Sequence, residues 1–354
     1  MIRTLIVLLV FTTLISQAVA QENEKPGTKI LVFPVFFYTP ETHVGLGVTG
    51  IFYFREQGAD SSKTSSIPSA FIYTLENQLI ISNPFDVFLK TGEYRIKGEL
   101  GFFKYPYQFY GTGPDVSLDK FENYSATFLR FNSLFLKKFS SNSYAGPAIS
   151  YDEYFDVSIE TGGLLEQNQP TGIQTGRLIG AGAGLIIDHR DNQFSPASGN
   201  YLESRYIRYM NRIGDYGFHD FYLDARKYFE IRHDMVLATQ AFHQTVIGNA
   251  PFYNLALLGG SSKMRGYYRG AYRDNHFTCL QFDMRKYIFK RFLLAGFGGI
   301  GAVGSHIDDY KNLLPSAGIG LRYEIDPKER IRIRIDYAFG KNTSGFYINI
   351  NEAF

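Results

Sequence analysis

Several segments of the chain alternate between apolar and polar residues with a period of two. One of them, ERIRIRIDYAFG, runs from Glu329 to Gly340. An α-helix would mix the two groups, and a soluble sandwich would have to bury the arginines or expose the aromatic rings. A barrel with lipid outside and a wet lumen accepts both faces, so the pattern predicts a membrane-spanning strand. The apolar face carries Ile331, Ile333, Ile335, Tyr337 and Phe339, and the polar face carries Arg330, Arg332, Arg334 and Asp336.

The same division recurs in residues 176–188, 221–231, 280–288 and 317–326. Turn-forming residues then divide the chain into sixteen strands, an even number typical of closed bacterial barrels. The sequence therefore predicts an all-β fold, a 16-stranded antiparallel transmembrane β-barrel over residues 29–354. The predicted strands are 29–38, 44–54, 67–75, 78–89, 93–110, 124–138, 144–159, 176–188, 200–210, 218–231, 235–248, 276–289, 292–306, 315–325, 330–340 and 345–354.

The connections alternate in length from the eighth strand onward. Residues 161–175 and 248–275 form long connections, whereas 232–234, 290–291 and 327–328 are short. Long loops outside and short turns inside are the usual asymmetry of such barrels, which places both termini in the periplasm.

The first twenty residues predict a signal peptide. Arg3 provides a positive start, LIVLLVFTTLI an apolar core, and Ala18-Val19-Ala20 a cleavage site. A retained membrane helix is the alternative, but the apolar run is short for spanning. Export without a helical anchor leaves a soluble exported domain or an outer-membrane barrel of a Gram-negative bacterium. Residues 21–28 then form a short N-terminal segment, too short for a domain of its own.

Composition favours the barrel. The chain has 32 Phe, 26 Tyr and 35 Gly with a mean hydropathy of −0.15, which suits a sheet with one apolar face. The single Cys279 excludes an internal disulfide framework, and a net charge of +2 gives no reason to expect a nucleic-acid partner. The seven histidines stand in no hydrolase or metalloprotease motif. We therefore expect no enzyme activity, catalytic residue, cofactor or metal site.

One long loop carries Met264-Arg265-Gly266-Tyr267 between the eleventh and twelfth predicted strands. This tetrapeptide resembles the [VIL]RG[FY] element in the sixth extracellular loop of the BamA/TamA/FhaC superfamily of sixteen-stranded barrels. The preceding Leu258-Gly259-Gly260 and the following Tyr272-Arg273-Asp274 strengthen the resemblance.

A second element resembles the family's D-x-R-D-N…P-x-x-G-x-Y turn between strands eight and nine. Its local logic is that Asp and Asn side chains bond nearby backbone amides, while Pro and Gly set the turn dihedrals. A third, Tyr38-Thr39-Pro40-Glu41-Thr42, is similar to the first hairpin of surface-antigen members. The residues of the second element are Asp188, Arg190, Asp191, Asn192, Pro196, Gly199 and Tyr201.

The resemblance implies that the extracellular loop folds back into the lumen, where its arginine pairs with acidic residues of the last strands. The family's acceptor motif F-x-D-x-G is altered here, because Gly299 stands where Asp is expected. Asp336 or Glu324 would then pair with Arg265, since a confined guanidinium needs carboxylate or carbonyl partners. The alternative is that the loop only plugs and stiffens the barrel.

Two functions remain open. The first is an assembly, insertion or translocation factor that works through a weak seam between Lys29–Tyr38 and Gly345–Phe354, with terminal Phe354 resembling an assembly signal. We expect no counterpart of the periplasmic POTRA domains that such relatives carry. The second is a passive pore or partner-binding scaffold, with Arg330, Arg332 and Arg334 favouring anions. The expected partners are outer-membrane lipids and other outer-membrane or periplasmic proteins; client and oligomeric state stay open.

Overall fold

The structure, a computed structural model, describes residues 28–39, 43–58, 63–307, 310 and 312–354. The predicted signal peptide, residues 21–27 and Pro40–Thr42 of the first hairpin lie outside the described residues.

Sixteen strands form one antiparallel sheet in chain order, from β1 to β11 and then from β14 to β18, and β12 and β13 pair separately. The predicted sixteen-stranded antiparallel barrel fold is thus confirmed. The strands are β1 Thr28–Thr39, β2 His43–Phe54, β3 Ser65–Thr74, β4 Leu79–Leu89, β5 Tyr94–Phe109, β6 Glu122–Ser140, β7 Ser143–Ser158, β8 Gly176–Asp188, β9 Gly199–Tyr209, β10 Phe218–Arg232, β11 Met235–Gly248, β12 Ala256–Leu258, β13 Tyr272–Asp274, β14 His276–Phe289, β15 Phe292–Gly304, β16 Leu314–Asp326, β17 Ile331–Gly340 and β18 Thr343–Ile350.

The two faces of the sheet differ as the alternation predicts. Leu280, Phe282 and Met284 of β14 are exposed on the outer face, whereas Gln281, Asp283 and Arg285 between them are buried inside. Large exposed apolar side chains recur on almost every strand. An apolar outer surface with charges turned inward is the pattern of a barrel surrounded by lipid.

The two ends of the barrel also differ. At one end, called the turn end, residues 141–142, 233–234 and 290–291 connect strands directly. At the other, called the loop end, residues 110–121, 159–175 and 249–275 form long connections, and a short helix, Leu164–Asn168, lies in the second of them. Among the described residues, no helix is long and apolar enough to cross a membrane.

The lumen is partly filled with apolar side chains. One cluster lines β4 to β11 and includes Leu165 of the short helix and Phe252 of the longest loop. A second joins Phe242 and Phe277 of the wall to Met264 and Tyr267 of the same loop. The inward loop and the short helix therefore pack against the wall through apolar side chains.

Most strand limits differ from the prediction by a few residues, and two of these differences change which side chains enter the lumen. The last strand ends at Ile350 instead of residue 354, because residues 351–354 leave the sheet. Strand β17 begins at Ile331, and Arg330 adopts a left-handed conformation in the preceding turn, with φ of 57°. Arg330 therefore does not line the lumen with Arg332 and Arg334, as the alternation suggested.

The edge strands β1 and β18 meet through side chains at the turn end. Leu31 of β1 and Ile350 of β18 pack against one apolar cluster that contains Ile51, Phe194 and Ile331. The ammonium of Lys29 in β1 lies 3.1 Å from Asp326 at the end of β16. Within the described residues, the sheet order contains no ladder that joins β1 to β18.

Candidate functional site: a loop held inside the barrel

The connection between β11 and β14 returns into the barrel. Strands β12 and β13 pair and form its stem, from Ala256↔Asp274 to Leu258↔Tyr272. The residues between them lie against the inner wall, where Met264, Arg265 and Tyr267 are at most 1% exposed. The loop is thus folded inward.

Arg265 is held by two carboxylates of the wall. Its Nη1 lies 2.7 Å from Asp336 of β17, and its Nη2 lies 2.8 Å from Asp283 of β14. Both acids are fully buried. A buried charge is costly unless it is paired and hydrogen-bonded, so the two contacts fix the loop on this wall.

The wall also explains why an acid is unnecessary at Gly299. The ring of Phe297 lies under the Arg265 guanidinium, with Cζ 3.4 Å from the ring centroid. Asp283 is the register partner of Phe297, and Gln281 is that of Gly299. A Cβ at Gly299 would lie 2.7 Å from the Gln281 side chain. The second acceptor therefore comes from the neighbouring strand β14, a contribution that the sequence analysis missed.

The other residues of the tetrapeptide fit closely. The Met264 amide donates to Gln281 at 3.1 Å, and the Gly266 amide donates to the Tyr347 hydroxyl of β18 at 2.9 Å. Gly266 has φ of 105°, and a Cβ there would lie 2.6 Å from the Phe339 carbonyl carbon. Only glycine combines this backbone conformation with so close an approach.

Tyr267 joins the loop to the strands near the edge of the sheet. Its hydroxyl donates to the carbonyl oxygen of Pro315 at 2.6 Å and accepts from the amide of Lys341 at 2.7 Å. Its ring covers Gly340, where a Cβ would lie 2.6 Å from the ring. Together with the Gly266–Tyr347 bond, these contacts fix the loop on β16, β17 and β18.

Arg265 belongs to a larger buried network. Asp336 also pairs with Arg322 and with Arg334, the latter at 2.9 Å. Asp283 pairs with Arg285 at 3.2 Å and lies 3.5 Å from Arg322. Alternating positive and negative side chains on β14, β16 and β17 therefore neutralise one another inside the lumen.

Glu324 does not contact Arg265, so of the two alternative partners only Asp336 pairs with it. Its carboxylate accepts a hydrogen bond from Tyr287 at 2.8 Å and lies 3.9 Å from Arg332. Gly320 is the residue of β16 that pairs with Asp336, and Glu324 lies four residues nearer the turn end of the same strand. Glu324 therefore belongs to a different layer of side chains.

The four residues after β18 fold into the lumen. Glu352 lies 3.0 Å from Arg322, 3.1 Å from Arg332 and 3.3 Å from Arg285. Phe354 is 3% exposed and packs on Tyr228 of β10 and Ala238 of β11. Glu352, which interrupts the apolar alternation of the last residues, is thus the anchor of an inward tail. No pattern that assumed a continuous strand could have found this.

The second motif forms a compact turn between β8 and β9. The Asp191 carboxylate accepts from the amides of Ala197 and Ser198 at 2.9 and 3.0 Å, and Arg190 lies 2.7 Å from Asp188. Gly199 has φ of 99°, and a Cβ there would meet the His189 carbonyl at 2.0 Å. Pro196 lies within this turn.

This turn also reaches residues far away in the sheet. The Asn192 side chain donates to the Glu329 carbonyl at 3.1 Å, and Arg330 lies 2.6 Å from Asp191. The ring of Phe194 lies 6.1 Å from that of Tyr53 in β2 and packs with Ile331 of β17. The purely local role that we assigned to this motif is therefore incomplete, since the turn links β2 to the β16–β17 turn.

Comparison with solved structures supports the fold. BamA from Haemophilus ducreyi lacking POTRA domains 1-3 is 14% identical with a TM-score of 0.57, over 92% of this chain and 69% of that one. CdiB from Acinetobacter baumannii is 11% identical with a TM-score of 0.58, over 93% and 60%. CdiB from Escherichia coli is 10% identical with a TM-score of 0.56, over 92% and 61%.

The chain has the barrel fold of these proteins and spans about 60–69% of the length of their chains. No protein-family model and no curated protein matches it.

Proposed function

We propose that this chain is an outer-membrane barrel that assists the insertion, assembly or translocation of other proteins through the seam between β1 and β18. The observation that carries the proposal is where the inward loop is attached. Arg265, Gly266 and Tyr267 bond to β14, β16, β17, β18 and the β17–β18 turn. Strand β18 is the last in the sheet order. The loop therefore sets the position of the edge strand β18.

The chemistry of the edge strands is consistent with this role. An edge strand presents unpaired backbone groups, and an extended segment of a client can pair with them by β-augmentation. Pro34 in β1 has no amide hydrogen to donate, which weakens a ladder at that position. The outer face of β18 bears Phe346 and Ile348, both at least half exposed, so a new strand would emerge directly into lipid.

A passive pore is the second candidate, and the incompletely filled lumen favours it. The arginines that suggested anion selectivity are engaged, however. Arg332 pairs with Glu352, and Arg334 pairs with Asp336. The inward loop and tail also occupy the lumen beside β14–β18, which argues for a narrow passage.

The test is the folding of an unfolded client barrel into liposomes that contain the purified protein. We expect faster client folding with the wild-type chain than with empty liposomes, and loss of that acceleration in Arg265→Ala. Arg212→Ala, which removes an exposed arginine between β9 and β10, is the matched control and should behave as wild type. No acceleration by the folded wild-type protein would reject the proposal, and stable currents across planar bilayers would then favour the pore.

A further inference from the structure

A cavity of about 450 Å³ remains inside the barrel, between the inward loop and the wall opposite its arginine anchor. The wall side is formed by β5, β6, β7, β9, β10 and β11, and the loop side by Tyr253–Leu255, Leu257, Gly259–Lys263 and Arg269. The cavity is lined mainly by polar groups and is distinct from the Arg265 network.

Five cationic side chains line this cavity, and two of them are neutralised. Lys97 pairs with Glu203, and Arg130 lies 3.0 Å from Asp152. The two remaining carboxylates of the lining bond to neutral groups. Glu99 accepts from Ser82 at 3.0 Å, and Asp220 accepts from Gln244 at 3.0 Å.

The other three cations, Arg205, Lys263 and Arg269, have no carboxylate within 4.0 Å in the described part of the chain. The guanidinium of Arg205 lies 4.8 Å from the centroid of Tyr222, and the ammonium of Lys263 lies 3.8 Å from that of Phe242. Aromatic faces stabilise a cation in part, but they leave its hydrogen-bond donors unused.

The two loop cations carry the electrostatic signature of an unmet charge. Enclosure in the barrel lowers the pKa of Lys263 to about 8, although Asp224 partly opposes this change. Enclosure and the positive charge of Arg130 lower the pKa of Arg269. An anion between the loop and the wall would relieve both effects.

The backbone of the loop adds further donors. Gly259 and Gly260 are both left-handed, with φ of 106° and 98°, and Arg269 packs against Gly260. The amides of Ser261, Ser262 and Lys263, which follow, donate to no acceptor among the residues that the structure describes. Successive backbone amides after such a bend form a favourable environment for an oxyanion.

We infer that this cavity is a binding site for a small oxyanion of the phosphate class, held by Arg205 from the wall and by Lys263, Arg269 and the Ser261–Lys263 amides from the loop. The ligand bridges the free side of the loop to β9. The loop is then fixed on both sides, by Arg265 on β14 and β17 and by the anion on the opposite wall.

Calorimetric titration of inorganic pyrophosphate into the full-length protein, folded in detergent at constant ionic strength, tests the inference. We expect one saturable site and a dissociation constant about tenfold or more weaker in Arg269→Ala and in Lys263→Gln, since each removes a charged hydrogen bond. Arg212→Ala is the matched control and should bind as wild type, because Arg212 lies outside the cavity. Sulfate should compete with pyrophosphate.

Heat-modifiable migration on gels identifies the variants that are folded. Should a loop variant fail to fold, Arg205→Gln, which changes only the wall, carries the same expectation. The inference is overturned if the folded wild-type protein shows no saturable binding. It is equally overturned if Arg212→Ala weakens binding as much as Arg269→Ala, because the effect would then be general charge screening.

Discussion

The Nη2 of Arg285 donates a hydrogen bond of 2.9 Å to the main-chain oxygen of Phe354, so the end of the chain is held inside the barrel. Arg285 belongs to β14 and Phe354 follows β18, four sheet positions away. The bond places the Phe354 ring on Tyr228 and Ala238, beyond β14. The tail after β18 thus crosses the turn end of the lumen instead of extending the edge strand.

Phe354→Ala should destabilise the folded barrel by roughly 2–4 kcal/mol, because it removes a buried aromatic side chain. The measurement is urea unfolding of refolded protein in detergent, monitored by tyrosine fluorescence because the chain has no tryptophan. Phe346→Ala removes an aromatic side chain that is 62% exposed on the outer face and should cost much less. Equal losses in the two variants would show that Phe354 does not pack inside.

Arg265→Ala should cost about 3–5 kcal/mol, because Asp283 and Asp336 would lose a buried partner. Arg265→Lys should recover only part of this, since one ammonium cannot reproduce the two bonds of the guanidinium fork. The same unfolding experiment measures both. A loss below about 1 kcal/mol in Arg265→Ala would contradict a buried pairing and indicate an exposed one.

Gly266→Ala should release the loop from the wall. The new Cβ would lie 2.6 Å from the Phe339 carbonyl carbon, and alanine disfavours φ of 105°. We expect lower stability and faster proteolysis of the loop in the folded protein. Gly296→Ala is the matched control, since a Cβ there meets nothing within 4 Å and should leave both properties unchanged. Unchanged proteolysis of Gly266→Ala would refute the close approach.

The strand architecture was predictable because lipid and lumen impose opposite demands on alternate residues. In β14, Leu280, Phe282 and Met284 face out and Gln281, Asp283 and Arg285 face in, as a period of two requires. The alternation gave a wrong strand end after Ile350, where the residues no longer separate lipid from lumen. Ile350 is the last strand residue, and nothing in the alternation distinguishes the tail after it from a continuing strand.

The candidate site was predictable only in part. The sequence placed an acid on β17 opposite the loop, and the structure brings Asp336 within 2.7 Å of Arg265. The role of Asp283 depends on the register between β14 and β15, which the sequence does not specify. The contact between Phe194 and Tyr53 depends on the curvature of the sheet, which brings strands distant in the sequence together, so no local motif could reveal it.

The β8–β9 turn makes one buried apolar contact with the sheet through Phe194 and one partly exposed ion pair through Asp191. Phe194→Ala should cost about 3 kcal/mol, because its side chain packs among Ile51, Tyr53 and Ile331. Arg330→Ala should cost less than about 1 kcal/mol, because its pair with Asp191 is partly exposed on both sides. Thermal unfolding of the two variants compares them directly. A larger loss in Arg330→Ala than in Phe194→Ala would reject the apolar link between this turn and the sheet.

Oxyanion binding should depend on pH through Lys263, whose pKa is lowered from 10.5 to about 8 by enclosure in the barrel. The groups around its ammonium are the Tyr222 and Phe242 rings, Asp220, Asp224 and Arg226 of β10, Cys279 of β14 and Arg269 of the loop. Lys263 is charged below about pH 8 and neutral above it, so binding should weaken as the pH rises through 8.

Sulfate is the suitable probe for this prediction, because it keeps its charge over this pH range. We expect its affinity for the wild-type protein to fall by severalfold between pH 7 and pH 9, and that of Lys263→Gln to be low and nearly constant. In the unliganded protein, a rise in pH should have the opposite effect and increase the stability of the fold. A lysine whose pKa is lower in the folded state destabilises folding when it is charged, so unliganded wild type should gain stability relative to Lys263→Gln between pH 8 and pH 10.5. A wild-type affinity that is flat across pH 8 would exclude Lys263 from the site.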